Sequence, residues 1–212
     1  MYEFDDLPLS PIEPATNVLV AGPAMSGTRD LFLRMLAPPA GSEDGTIVVT
    51  SGDNADELYE RFRATARDVD RQQLGVVDCV SRSRGLSVDG PNVGTVSSPG
   101  DLTGIGIELT DLYESFFERG VRRLRTGLNS ISTLLMYADQ QPLFRFLHVF
   151  TGRISTAESL GLFVIDPTSH DERTTQTINQ LYDARIEVRQ NGSAPELRVR
   201  GLPDQPTDWT PF

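Results

Sequence analysis

Lysine is absent from this chain of 212 residues, and all 19 of its basic side chains are arginine. That excludes mechanisms that need a lysine amine, Schiff-base chemistry among them, and denies a phosphate-binding loop its usual lysine. The single cysteine, Cys79, permits no internal disulfide and no cysteine zinc cluster. Two histidines, His148 and His170, are too few for most transition-metal sites, so no metal site is expected. No apolar run nears the roughly 18 residues of a membrane span. The opening MYEFDDLPLSPIEP carries no basic segment of the kind that begins a secretion signal. The expected location is cytoplasmic.

Acid dominates what is present. Thirty Asp and Glu against 19 bases leave a net charge of −11. This argues against nucleic acid, whose phosphates need a basic surface to neutralise them. The partners expected are other proteins or further copies of the chain. Many acids, abundant Thr and Ser and no Lys are together similar to the composition of salt-in halophilic archaea. There charge keeps the surface soluble, and concentrated salt screens its self-repulsion. A GC-rich genome also trades Lys for Arg. Hydrophobic residues make up 38% of the chain, enough for one sizeable core.

Residues 1–16 are rich in Pro and acid and read as an extended lead-in. Apolar runs at 17–21, 46–50, 74–80 and 161–166 lack strict alternation and read as strands buried on both faces. Residues 124–128 make a further strand candidate, although Arg123 and Arg125 sit awkwardly for a buried one. Helical spacing marks 29–36, 54–69 (with Leu58, Phe62, Ala66 and Val69 on one face), 108–119, a segment opening at Pro142, and one from 169 to 181. Residues 81–107 read as a long loop or a pair of weak strands. Alternating segments at 185–189 and 196–200 flank Asn191-Gly192, a hairpin signature. Strand–helix alternation ending in a hairpin predicts an α/β fold: a mostly parallel central sheet flanked by helices, with a C-terminal antiparallel hairpin. One domain over 17–202 and a tail at 203–212 are expected.

The sharpest local feature is Gly22-Pro23-Ala24-Met25-Ser26-Gly27-Thr28-Arg29, between the first strand and the first helix. A helix N-terminus aims free N–H groups and a positive dipole at an anion, so a phosphate loop needs this context. The glycine spacing fits, with Thr28 at the lysine position and Arg29 at the position of the magnesium-binding hydroxyl. The alternative is a tight turn that uses glycine for steric reasons.

Further segments follow in order: Thr50-Ser51-Gly52-Asp53-Asn54-Ala55-Asp56-Glu57-Leu58 at the exit of the second strand, Gly127-Leu128-Asn129-Ser130-Ile131-Ser132, Asp183-Ala184-Arg185-Ile186-Glu187-Val188 and Arg198-Val199-Arg200-Gly201. Over residues 15–202 the chain resembles the KaiC-like ATPases of the RecA superfamily, in particular a haloarchaeal branch of short single-domain proteins. The resemblance implies a RecA-like P-loop fold. It also implies a nucleotide site drawn from Gly22, Ser26, Gly27, Thr28, Arg29 and Asn129. Arg198 and Arg200 match a basic pair that reaches a neighbour's nucleotide in ring assemblies. The family pattern further calls for a lysine, a magnesium-binding hydroxyl, a Walker B aspartate and a catalytic glutamate pair. Here those positions hold Thr28, Arg29, Asn129, and Gly52 with Asp53. Phosphoryl transfer rests on positioning and charge neutralisation, so each replacement attacks the mechanism directly. The ligand this implies is ATP or another nucleotide, and neutral Asn129 is a poorer partner for magnesium than a carboxylate.

Asp53 and Asp166 are the two catalytic candidates. Asp166 ends the run Leu162-Phe163-Val164-Ile165 and admits three readings: a cap with Pro167 and Thr168, a contact to a terminal phosphate, or a metal carboxylate. Ser169, His170 and Asp171 lie close in sequence, but the elbow G-x-S-x-G is absent, and His170 reads as a solvent-facing residue of a first helical turn. His148 reads as partly buried, Cys79 as core, and Arg122, Arg123 and Arg125 as a solvated edge or an acidic-partner contact. The functional expectation is a catalytically degenerate KaiC-like module with a regulatory or assembly role. The alternatives are an unorthodox ATPase using Arg29 with Asp166 or Asp53, and a partner-binding domain without ligand. The charge balance makes one prediction. Thermal midpoints should rise along a potassium chloride series, and a midpoint that stays flat or falls with salt refutes a halophilic design.

Overall fold

Val, Ile and Leu runs without polar interruption bury both faces of a strand, and such strands are stable only between two layers of helix. The computed structural model describes residues 1–65, 70–88, 90–192 and 194–212. It builds one nine-stranded sheet in the order β4-β3-β2-β5-β6-β1-β7-β8-β9. The strands are β1 (Asn17–Ala21), β2 (Gly45–Thr50), β3 (Leu74–Asp78), β4 (Val93–Thr95), β5 (Leu124–Leu128), β6 (Leu160–Ile165), β7 (Ala184–Asn191), β8 (Ala194–Arg200) and β9 (Thr210–Pro211). From β4 to β7 every pairing is parallel, and β7–β8 and β8–β9 are antiparallel. The expected mostly parallel sheet with a terminal hairpin is thus present, and β9 extends the hairpin by one short strand.

Two helical layers cover the sheet. On one face lie α1 (Thr28–Leu36) and α2 (Ala55–Thr65), packing Phe32, Met35 and Phe62 against Val18, Val20 and Val48. On the other lie α3 (Leu102–Glu118), α4 (Ile131–Tyr137), α5 (Gln140–Thr156) and α6 (Glu172–Asn179), packing Phe116, Leu147 and Phe150 against Leu19, Val49 and Phe163. The helix expected from 108 begins at Leu102. Asp101 caps it by accepting the Gly104 N–H at 2.9 Å, and burial of Ile105 holds a glycine-containing first turn helical. Helix α4 was not foreseen; the Ser130 hydroxyl starts it by accepting the Thr133 N–H at 3.0 Å. The third strand ends at Asp78 rather than at 80. In the helix expected over 54–69, Ala66 and Val69 lie outside the described residues.

The first 16 residues pack onto the α1 face. Tyr2 bridges to Ile12, and Tyr2, Phe4, Leu7, Leu9 and Ile12 are all buried there. Their anchor is Arg125, which lies on β5 and is fully buried. Its guanidinium donates to the Met35 carbonyl at the end of α1 and to the Glu3 carbonyl, both at 2.8 Å. It lies 5.4 and 5.3 Å from the ring centres of Tyr2 and Phe4. The buried Asp44 carboxylate stands 4.0 Å away. Burial pulls this guanidinium down to about 10, against the opposing pull of Asp44. The solvated arginine edge expected at 122–125 therefore does not hold at Arg125.

Removing Arg125 strands two carbonyls in the core and leaves the buried Asp44 carboxylate to Arg123 alone, 3.6 Å away. Arg125→Ala is predicted to lower unfolding stability by about 3 kcal/mol in urea titrations. It should also expose residues 1–12 to proteolysis, and Arg125→Met, which keeps the aliphatic packing, should cost less.

Candidate functional site

In open parallel sheets, ligands gather beyond the carboxyl ends of the strands. Here that edge brings together the exits of β1, β2, β5 and β6, and with them Gly22–Arg29, Asp53, Asn129 and Asp166. The turn from β1 to α1 is tight. Met25 takes φ 61° with its side chain in solvent, and Gly27 takes φ 88° as the residue before α1. Gly22 has no room for a side chain: a Cβ there would lie 2.9 Å from both Ser26 Oγ and the Val188 carbonyl. The Ser26 and Thr28 hydroxyls fill the hollow, 2.7 Å from each other, with Ser26 also donating to the Pro23 carbonyl at 2.7 Å. Thr28 is buried and turned into the loop.

The loop also satisfies its own backbone. The Gly22 N–H donates to the Ile165 carbonyl at 3.2 Å, and the Ser26 N–H to the Pro23 carbonyl at 3.2 Å. The Ala24 N–H donates to the Asp166 carboxylate at 3.3 Å. The first turn of α1 has no side-chain cap, so its leading N–H groups remain the part of the turn an anion can reach.

Arg29 does not point into open solvent. Its guanidinium pairs with the Asp53 carboxylate, which also takes Arg61 at 3.2 Å. Asp53 is buried while both arginines are about half exposed. Asn129 is fastened to the neighbouring strand exit. Its Oδ1 accepts from the Ser51 N–H and hydroxyl, and its Nδ2 donates to Thr50 Oγ1, each at 3.0 Å. The Thr50 hydroxyl in turn donates to the Asp53 carbonyl at 2.7 Å. Asp53, Asn129 and Arg29 are therefore one connected polar group.

Asp166 accepts the Thr168 N–H at 2.9 Å and its hydroxyl at 2.6 Å, the geometry of a cap. Burial alone would raise its carboxyl, but the bonds from Thr168, Ser169 and Ala24 outweigh burial and hold it below the ordinary value of 3.8. Two neighbours escaped sequence reasoning. Ser132 Oγ accepts the Asp166 N–H at 3.0 Å and lies 2.9 Å from His170 Nε2. His170 is thus half-buried and hydrogen-bonded rather than solvent-facing, because Ser132 comes from α4, 38 positions away. Asp78, at the end of β3, is wholly buried and caps α2 by accepting the Ala55 N–H at 2.9 Å. An acid closing an apolar run was the signal for it. Cys79 is buried beside it, its thiol pushed up to about 12 by burial and by Asp78. His148, expected to be partly buried, is exposed on α5.

Arg198 folds back on its own hairpin. It pairs with Glu187 and lies 4.5 Å from the Trp209 ring, whose other contact is Arg189 at 4.2 Å. Arg200 is exposed at the end of β8. The same hairpin reaches the loop, since a Cβ on Gly27 would lie 2.8 Å from Pro195 Cβ and 3.4 Å from the Phe212 ring.

Strand order β3-β2-β5-β6-β1, a glycine turn after β1 and an antiparallel β7–β8 hairpin define an α/β protein with a RecA-like fold. Within that class the chain belongs to the family of unknown function DUF7504, whose model matches residues 15–188. No curated protein matches it. Among solved structures it is similar to the uncharacterized protein PH0321 from Pyrococcus horikoshii, in complex with an unknown peptide, at TM-score 0.69 and 13% identity, covering 90% of this chain and 85% of that one. It is also similar to the KaiC-like protein PH0186 from Pyrococcus horikoshii OT3, at TM-score 0.65 and 11% identity, covering 94% of this chain and 85% of that one. These likenesses establish the fold.

The lowered carboxyl of Asp166 sets a pH dependence with a definite sign. Its contribution to stability is fully present above 3.8 and is lost as pH falls through the depressed folded value. Urea midpoints measured down an acid series should show Asp166→Asn with a shallower loss than the wild type. Parallel acid limbs would mean that the bonds to Thr168 and Ala24 contribute nothing.

Proposed function

We propose that this chain is a catalytically degenerate KaiC-like RecA-fold protein that acts as a regulatory or assembly module and binds nucleotide weakly at most. The observation carrying this reading is the pairing of Arg29 with Asp53. A guanidinium at the position expected for the magnesium hydroxyl neutralises the one carboxylate beside it. The residues here do not fit a magnesium–nucleotide pair. Asp53 is engaged by two arginines, Asn129 offers a neutral amide already bonded on both sides, and Thr28 is turned inward. The alternative ATPase needs Arg29 for phosphate and Asp53 or Asp166 for water or metal. The mutual engagement of Arg29 and Asp53, and the capping bonds of Asp166, count against it. A phosphate arriving at the loop would meet the N–H groups opening α1 and would gain Arg29 only by drawing it off Asp53.

A module of this kind acts through what it contacts. That PH0321, a neighbour in fold, was solved with an unknown peptide is in keeping with a binding role for such a scaffold. Arg198, expected to reach a neighbouring copy, is instead held by Glu187 and Trp209, so Arg200 is the member of that pair open to a partner.

Calorimetric titration with ATP in concentrated salt, with and without magnesium, tests the reading. The wild type should bind with a Kd of about 1 mM or weaker, a gain of only about 4 kcal/mol. Magnesium should leave that value unchanged. Asp53→Asn, which releases Arg29, should tighten binding about tenfold, the worth of one charge-assisted hydrogen bond. The triple variant Thr28→Lys, Arg29→Thr, Asn129→Asp should acquire magnesium-dependent binding. Magnesium-dependent ATP hydrolysis by the wild type, abolished by Asp166→Ala, would overturn the proposal in favour of the ATPase.

A further inference from the structure

Away from the phosphate loop, α3 and α5 lie side by side on the opposite face of the sheet with an open groove of about 940 Å³ between them. Its floor is apolar, made by Leu109, Phe146 and Phe150, and its lips carry Ile107 and Val149, each 56% exposed. Single exposed aliphatics need no explanation, but a contiguous apolar strip on a highly charged chain does. Met136 and Tyr137 are likewise 80% and 59% exposed, at the end of α4, where Tyr137 lies beside Gly100, just ahead of α3.

The two helices carry opposite charge. Helix α3 holds Glu108, Asp111, Glu114 and Glu118 and no base. Helix α5 holds Arg145 and Arg153 and no acid. In a chain of net charge −11, most faces of two copies repel each other, and a helix bearing only bases is the exception. Asp111 and Arg153 both line the groove, and Arg153 reaches across it to Thr110 Oγ1 at 2.6 Å.

We propose that this groove is the face on which two copies of the chain pair. A two-fold axis running along the groove sets α3 of each copy over α5 of the other, so that acid meets base twice and the apolar strips cover each other. An axis running across the groove would set acid on acid. Charge therefore selects the first arrangement, an isologous pair in which Asp111 of one copy faces Arg153 of the other. The surface lies apart from the phosphate loop and from Arg198 and Arg200, and its occupancy does not depend on whether nucleotide binds.

Light scattering coupled to size-exclusion chromatography of the full chain, in salt sufficient to keep it folded, reads the outcome as mass. The wild type should elute at twice the chain mass. Ile107→Glu, Asp111→Arg and Arg153→Asp should each halve that mass while keeping the wild-type circular dichroism spectrum. An equimolar mixture of Asp111→Arg and Arg153→Asp proteins should return to the doubled mass, since both cross-contacts are then complementary. A monomeric wild type overturns the proposal. So does a dimer whose mass survives all three substitutions, which would move the contact to another face such as that of Arg200. A mixture that stays monomeric beside a dimeric wild type overturns the assigned arrangement.

Discussion

Backbone N–H groups in the turn from β1 to α1 need acceptors, and in this protein the chain supplies them. The Ile165 carbonyl, the Pro23 carbonyl and the Asp166 carboxylate each take one. Three N–H groups of the turn thus have internal partners in place of a ligand, while the N–H groups opening α1 remain open to an anion. The same substitution of internal for external partners recurs one layer out. Arg29 and Arg61 neutralise Asp53, and Asn129 closes on Thr50 and Ser51. Positive charge, carboxylate and amide are all present at the strand ends, but each is occupied by another.

Helix α1 is held at both ends, and this links the fold to the site. Its first turn is tied to β2 by Arg29 and Asp53. The Met35 carbonyl near its last turn is tied to β5 by Arg125. Arg125 also gathers the first residues of the chain, through the Glu3 carbonyl and the rings of Tyr2 and Phe4. A fully buried guanidinium is costly unless its donors are used, and here two of its nitrogens find carbonyls of separate segments. The lead-in is thereby part of the core on the α1 side.

The opposite side of the sheet has a different character. There the helices leave a groove with an apolar floor and charged lips of unlike sign, while the hairpin edge is closed by Trp209 lying against two arginines. One face of the molecule is thus internally finished and another is left with surface to cover.

Much of this was legible in the residues. Uninterrupted runs such as 17–21, 46–50 and 161–166 determine buried parallel strands, because no other packing satisfies apolar side chains on both faces. Asn191-Gly192 and its alternating flanks determine the hairpin, and the glycine turn after the first strand locates the site. The start of α3 and the whole of α4 were hidden, since Gly104 and Gly106 lower helix propensity and only the Asp101 and Ser130 caps with burial of Ile105 and Ile131 offset it. The state of the site was hidden for a stricter reason. Arg29 and Asp53 are 24 positions apart, Asn129 and Ser51 are 78, and Asp166 and Ala24 are 142. Whether a charged side chain is a free grip or a spent one depends on which neighbour the sheet order sets beside it. Arg125 makes the same case from the core: its sequence neighbours promised an exposed basic edge, and only the approach of α1 and of Tyr2 and Phe4 decided that it would be buried.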